Sequence, residues 1–121
     1  MIKKLVCVLV LSFNVLSSYA DDHDQTAISL AMGTLDEFML GFNKKDLEAV
    51  SVTLNYPHVR FASGNVVIFK SAKSFIDQKI YKTLTDSGWD HSRWLSRDVL
   101  LSWPDKVHIA TAFRRYNKFN E

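Results

Sequence analysis

Cysteine is almost missing from this chain. The single Cys7 lies in an apolar run near the N-terminus. No internal disulfide can form, and once that run is removed there is no thiol nucleophile and no thiolate metal site. Glycine is scarce too: the four glycines stand isolated, so no phosphate-cradling glycine loop is present. There is no Gly-x-Ser-x-Gly elbow of the kind that presents a hydrolase serine. The four histidines, His23, His58, His91 and His108, show no paired ligand spacing for a metal. There is also no internal repeat and no low-complexity linker.

Residues 1–20 read as a signal peptide. Lys3 and Lys4 form a basic start, "LVCVLVLSFNVL" is a short apolar core, and "SSYA" puts small residues at the positions a signal peptidase reads. That core is too short for a comfortable membrane span, so no membrane anchor is expected after cleavage. Cleavage after Ala20 predicts a periplasmic or secreted domain over residues 21–121. The basic excess of the chain leaves with Lys3 and Lys4, and what remains is balanced in charge. A neutral surface argues against nucleic acid or an anionic membrane as partner.

The remaining chain is the size of one domain with a modest core. In "TAISLAMGTLDEFMLGFNKKD", Ile28, Ala31, Leu35, Phe38, Met39 and Phe42 recur at helical spacing, with Thr26 as N-cap. Gly33 and Gly41 weaken that helix but permit close packing. Asp46 caps a second helix whose Leu47, Val50 and Leu54 face inward, and Pro57 ends it. "HVRFASGNVVIF" then alternates. Val59 and Phe61 point to the core, His58 and Arg60 to a rim, and Ser63-Gly64-Asn65 turns the chain. "SAKSFIDQKIYKTLTDSG" predicts one third helix with Phe75, Ile76, Ile80 and Leu84 inward and Gly88 at its C-cap. "WDHSRWLSRDVLLSW" becomes a strand in its second half. "PD" turns it into a long strand with Val107, Ile109, Thr111 and Phe113 on one face. Strands in antiparallel runs with helices grouped on one side make an α+β domain.

The segments "NKKDLEAV", "YPHVRFASG" and "GWDHSRW", in the order helix, hairpin, helix, long strand, resemble the nuclear transport factor 2-like superfamily. This superfamily includes the ketosteroid isomerases, the SnoaL-like polyketide cyclases and many uncharacterised exported bacterial proteins. The resemblance covers the chain from about Thr26 onward. It implies a cone, a bent antiparallel sheet packed on three helices, with a pocket at the open end and often a homodimer through the sheet. It also implies that the last two strands of the family fold are missing, so that the domain is incomplete at its C-terminus. The isomerase chemistry does not carry over. Phe38 stands where those enzymes place a tyrosine oxyanion donor, and Ala62 stands where they place the aspartate base.

Two clusters remain as candidates. His58, or an Asp90–His91 pair, has the chemistry of a general base near neutral pH. Tyr56, His58, Arg60, Trp89, Trp94, Arg114 and Tyr116 are the candidate ligand-binding residues. Arginine in this set would hold an anionic group, and the aromatics would form an apolar wall. The alternative is that Trp89 and Trp94 fill the core, Asp90 caps a turn, and His58, Arg60 and the Arg114-Arg115 pair face water. Cleavage after Ala20 would also create an Asp21-Asp22-His23 terminus. Its amine, two amides and imidazole can hold Cu(II) or Ni(II) in a square plane, against the simpler reading of a polar tail. No cofactor is expected. The functions left open are an exported protein binding a small apolar or weakly anionic ligand or a protein partner, an isomerase-type enzyme with a histidine base, and a gene fragment without function.

Overall fold

A computed structural model describes the backbone of residues 14–121, with side chains from Asp24 onward. Residues 1–13, the greater part of the predicted signal peptide, lie outside the described residues, as do the side chains of Asp21, Asp22 and His23, the predicted copper ligands. The elements are α1 (Asn14–Asn43), α2 (Leu47–Ser51), β1 (His58–Ala62), β2 (Asn65–Phe69), α3 (Ala72–Ile76), α4 (Ile80–Asp86), β3 (His91–Trp103) and β4 (Lys106–Tyr116). The α+β class is as expected. The strands form two separate antiparallel hairpins, β1–β2 and β3–β4, rather than a single sheet.

Thr26 does not cap α1, because the helix runs through it from Asn14. The apolar spacing over residues 28–42 fixes a face but no start, and helix geometry continues N-terminally. That face brings Phe38 and Phe42 against the buried cluster of Val50, Phe69 and Phe75. Gly41 is where α1 meets α2. A Cβ there would lie 3.2 Å from the Ala49 Cβ and 3.3 Å from the Val50 Cγ2, so the two helices approach through the missing side chain. Gly33 has nothing within 4 Å and permits no such contact.

Asp46 caps α2 as expected, its Oδ1 accepting from the Ala49 amide at 2.9 Å. Val50 is fully buried, and the Tyr56 hydroxyl donates to the Ser51 carbonyl at 3.0 Å, closing the segment before the cis Tyr56–Pro57 bond.

Ser63 and Gly64, with φ of 53° and 78°, make a two-residue turn of the kind that matches strand twist. Asn65 is already in β2, opposite Ala62. The alternation in β1 is as predicted, but its faces are reversed. Val59 and Phe61 are 59% and 74% exposed, and their cross-strand partners Ile68 and Val66 are 57% and 61% exposed. His58 and its partner Phe69 are the residues turned to the core, where both pack on Phe75. A two-stranded ribbon has two faces and here only one is backed by helix, on the His58 side. Packing against α3 decides the face, over the greater hydrophobicity of the other.

The third helix of the sequence reading is two helices. Ser71 and Ser74 form a reciprocal capping box that starts α3. The chain then breaks at 77–79 before α4. Phe75 in α3 meets Phe69 at 5.3 Å, whereas Tyr81 in α4 meets Phe42 at 5.5 Å and Trp89 at 6.1 Å. One straight helix cannot serve both contacts. Gly88 ends α4 at φ 87°, its amide donating to the Thr85 carbonyl at 2.9 Å and the Trp89 amide to the Leu84 carbonyl at 3.1 Å.

Strand β3 begins at His91, well before the second half of its segment. Two register shifts, at Leu95 and Leu100, explain why its alternation is hard to read. The residues sharing the face of Phe113 and Thr111 are Ser92, Trp94, Arg97, Val99 and Ser102, at steps of two and three. That face lies on α1. Arg97 pairs with Asp36, Ser102 reaches Asp24 at 3.4 Å, and the Asn43 amide binds the Ser92 backbone.

Candidate functional site

The inner faces of both hairpins and one side of α1 line a cavity of about 330 Å³. Each contributor follows from its element's period. Phe38 and Phe42, one turn apart on α1, stack at 5.8 Å. Trp94 on β3 and Phe113 opposite it on β4 meet edge to face at 6.2 Å. Trp94 also lies 6.4 Å from Phe38, so the rings form a continuous apolar wall. Phe75 and Ile80, at either side of the α3–α4 break, add to it.

The polar groups in this wall are few and mostly donors. His58 and Arg60 enter from β1, two residues apart on one face. Burial and then the Arg60 charge hold the His58 imidazole below its ordinary 6.5, keeping it neutral around pH 7. Arg115 enters from β4, its guanidinium 5.7 Å from the Phe113 ring. Among the described residues, neither Arg60 nor Arg115 has a carboxylate within ion-pair distance. Gln78 Nε2 and Trp94 Nε1 are enclosed and have no acceptor.

The structure divides the predicted ligand-binding residues. His58, Arg60 and Trp94 line the cavity. Tyr56 packs against the core cluster and Trp89 is buried, its Nε1 donating to the Ser92 hydroxyl at 2.9 Å. Arg114 and Tyr116 do not line the cavity. In the register of the β3–β4 hairpin they share the other face with His91 and Arg93. The arginine of β4 at the cavity is therefore Arg115 rather than Arg114. The parity of Thr111 and Phe113 carries straight to Arg115 and is the signal that would have found it. Met39, on the apolar face of α1 that the helical spacing marks, also lines the cavity, as does Gln78, which carries no such signal.

The Asp90–His91 pair exists, with Oδ2 and Nδ1 2.9 Å apart. It sits on that far face, where the His91 ring stacks on Tyr116 at 5.2 Å. Its remaining nitrogen, Nε2, is enclosed without a partner, so the pair offers no free base to the cavity. Of the three candidate bases, only His58 faces the space a ligand would fill. Among the described residues no group of three or more histidine, cysteine or acidic side chains is placed to hold a metal ion. Likewise no helix there is long and apolar enough to cross a membrane.

Comparison of the chain with protein-family models, with curated proteins and with solved structures returned no match.

Proposed function

We propose that this is an exported binding protein with a cone-like fold of the nuclear transport factor 2-like kind, holding a small, largely apolar molecule between its two hairpins and α1. The observation that carries the reading is the cavity of about 330 Å³ walled by Phe38, Phe42, Phe75, Trp94 and Phe113. Ligand sites are typically concave, mostly apolar and furnished with a few polar groups, at volumes of about 300–1,000 Å³. An aromatic guest burying about 150 Å² of apolar surface gains about 4 kcal/mol, against association costs of similar size. The two nearly cancel, so the guest is held weakly and exchanges readily.

The test is fluorescence titration of the full chain with 2-naphthylmethanol, a neutral ring-sized probe. Saturable binding is expected. Thr111→Trp, which fills the cavity from an exposed lining position, should abolish it while the far-ultraviolet circular dichroism stays unchanged. A Thr111→Trp variant that binds as well as the parent rules the cavity out as the site.

A second reading is supported by His58 alone. A neutral imidazole in an apolar cavity is suited to abstract a proton next to a carbonyl. Solvent-deuterium exchange into a panel of small ketones, faster with the parent than with His58→Gln, would support it. Equal rates dismiss it.

A further inference from the structure

We infer that the cavity selects a small amphiphilic monocarboxylate, with its acid group on Arg60 and Arg115 and its apolar body among the aromatic rings. This rests on the reading of the cavity as a ligand site and adds the chemistry of the guest.

Charge is the first argument. The cavity carries two guanidinium groups, one from each hairpin, and no aspartate or glutamate among its described lining residues. Elsewhere the chain answers such a group internally: Arg97, on the same face of β3 as Trp94, is paired with Asp36 of α1. Arg60 and Arg115 are left without a counter-charge in the protein. Two unpaired cations facing one apolar space repel each other and gain from a shared anion.

Hydrogen-bond chemistry agrees. Besides the two guanidinium groups, Gln78 Nε2 and Trp94 Nε1 are enclosed donors lacking acceptors. Enclosed donors are ordinarily satisfied, so these two, beside the exposed guanidinium groups of Arg60 and Arg115, favour a guest that supplies acceptor oxygens. A carboxylate supplies two, in a plane that matches the guanidinium fork. The Arg115 guanidinium lies over the Phe113 ring at 5.7 Å, a contact that uses its charge and none of its N–H donors.

Size and polarity then limit the rest of the guest. At about 30 Å³ per water, 330 Å³ corresponds to roughly eleven waters, hence a guest of about a dozen non-hydrogen atoms. A nucleotide is too large for that space, and a sugar acid would bring hydroxyls to an aromatic wall with little to bond them. An aryl or short alkyl acid fits both ends.

The experiment compares 2-naphthoate, 2-naphthylmethanol and 2-naphthylmethylammonium by calorimetric titration of the full chain at low ionic strength. The acid should bind about tenfold more tightly than the alcohol, as expected for hydrogen bonds to charged groups, and the ammonium should bind most weakly. In the Arg60→Gln/Arg115→Gln double variant the acid should fall to the alcohol's affinity while the alcohol changes by less than about twofold. Raising salt should narrow the acid's advantage. Equal binding of acid and alcohol by the parent overturns the inference and leaves the cavity reading standing. So does an advantage that survives in a double variant with parental circular dichroism. Should neither probe bind, both fall. Should the double variant not fold, the order of the three probes on the parent alone decides.

Discussion

The side-chain amide of Asn43 completes the backbone of Ser92: Nδ2 donates to its carbonyl at 2.9 Å, and Oδ1 accepts from its amide at 2.8 Å. A residue at the end of α1 thus serves the first turn of β3 as a neighbouring strand would. Two partly buried hydrogen bonds should cost about 2 kcal/mol to lose. Asn43→Ala is expected to lower the urea midpoint accordingly. Asn43→Asp, which keeps the acceptor and forfeits the donor, should fall between the two.

Gly33 and Gly41 sit in the same helix and should respond oppositely. Alanine at Gly33 meets nothing within 4 Å, so the gain in helix propensity of about 1 kcal/mol appears as stability. At Gly41 the new methyl would crowd Val50 N and Cγ2, both at 3.3 Å, which offsets that gain. Gly41→Val, with a larger side chain at the same contact, should destabilise by more than about 2 kcal/mol. Thermal midpoints of the three variants give the comparison. A stabilising Gly41→Val would show that α1 and α2 do not approach as described.

His58 should titrate below 6.5, since burial and then the Arg60 charge both disfavour its protonated form. Arg60→Gln should move the midpoint up but not fully to 6.5, because burial remains the larger cause. The sign for stability follows. The unfolded chain takes up this proton first, so the fold loses stability as pH falls below 6.5 and through the folded value. Urea midpoints at pH 5 and 7.5 should differ less in His58→Gln than in the parent. Ring-carbon chemical shifts followed against pH report the midpoint directly.

Tyr81 lies between Phe42 and Trp89, and burial followed by the Asp46 carboxylate pushes its phenol up to about 12. A raised acid stabilises the fold below pH 10 and withdraws that support as pH rises from there through the folded value. Absorbance titration should therefore show one phenolate appearing well above the ordinary 10, and Asp46→Asn, which still caps α2, should bring it partway back. The Tyr81 hydroxyl is also enclosed without a partner. Tyr81→Phe should accordingly keep or raise stability at neutral pH and lessen the alkaline loss.

Where one local rule acts alone, the structure is legible in the residues. The 3.6-residue recurrence of Phe38 and Phe42 places the α1 face, Asp46 marks the start of α2, and Gly88 the end of α4. The hairpin at Ser63-Gly64 follows from turn chemistry. The rules fail where tertiary contacts choose among locally equal options. Val59–Phe61 and His58–Arg60 alternate equally well, and only the position of α3 decides which pair is inside. The α3–α4 break answers two separate aromatic contacts that no period announces. At the cavity, His58, Arg60 and Trp94 were recognisable by type. Type alone does not separate Arg114 from Arg115; only the parity of β4, carried past Phe113, does. Gln78 reaches the wall through packing alone.

The paired irregularities of β3 have an implication for how this chain can change. Each sets two residues of β3 against one of β4, so that Ser92, Arg97 and Ser102 look the same way across two odd stretches. Excising one bulge residue alone, Leu95 or Leu100, would leave a regular ladder with Arg97 still facing Asp36 and Ser102 still facing Asp24. A drifting sequence can therefore shed either kink singly, whereas losing a paired residue elsewhere in β3 would turn the side chains beyond it to the other face.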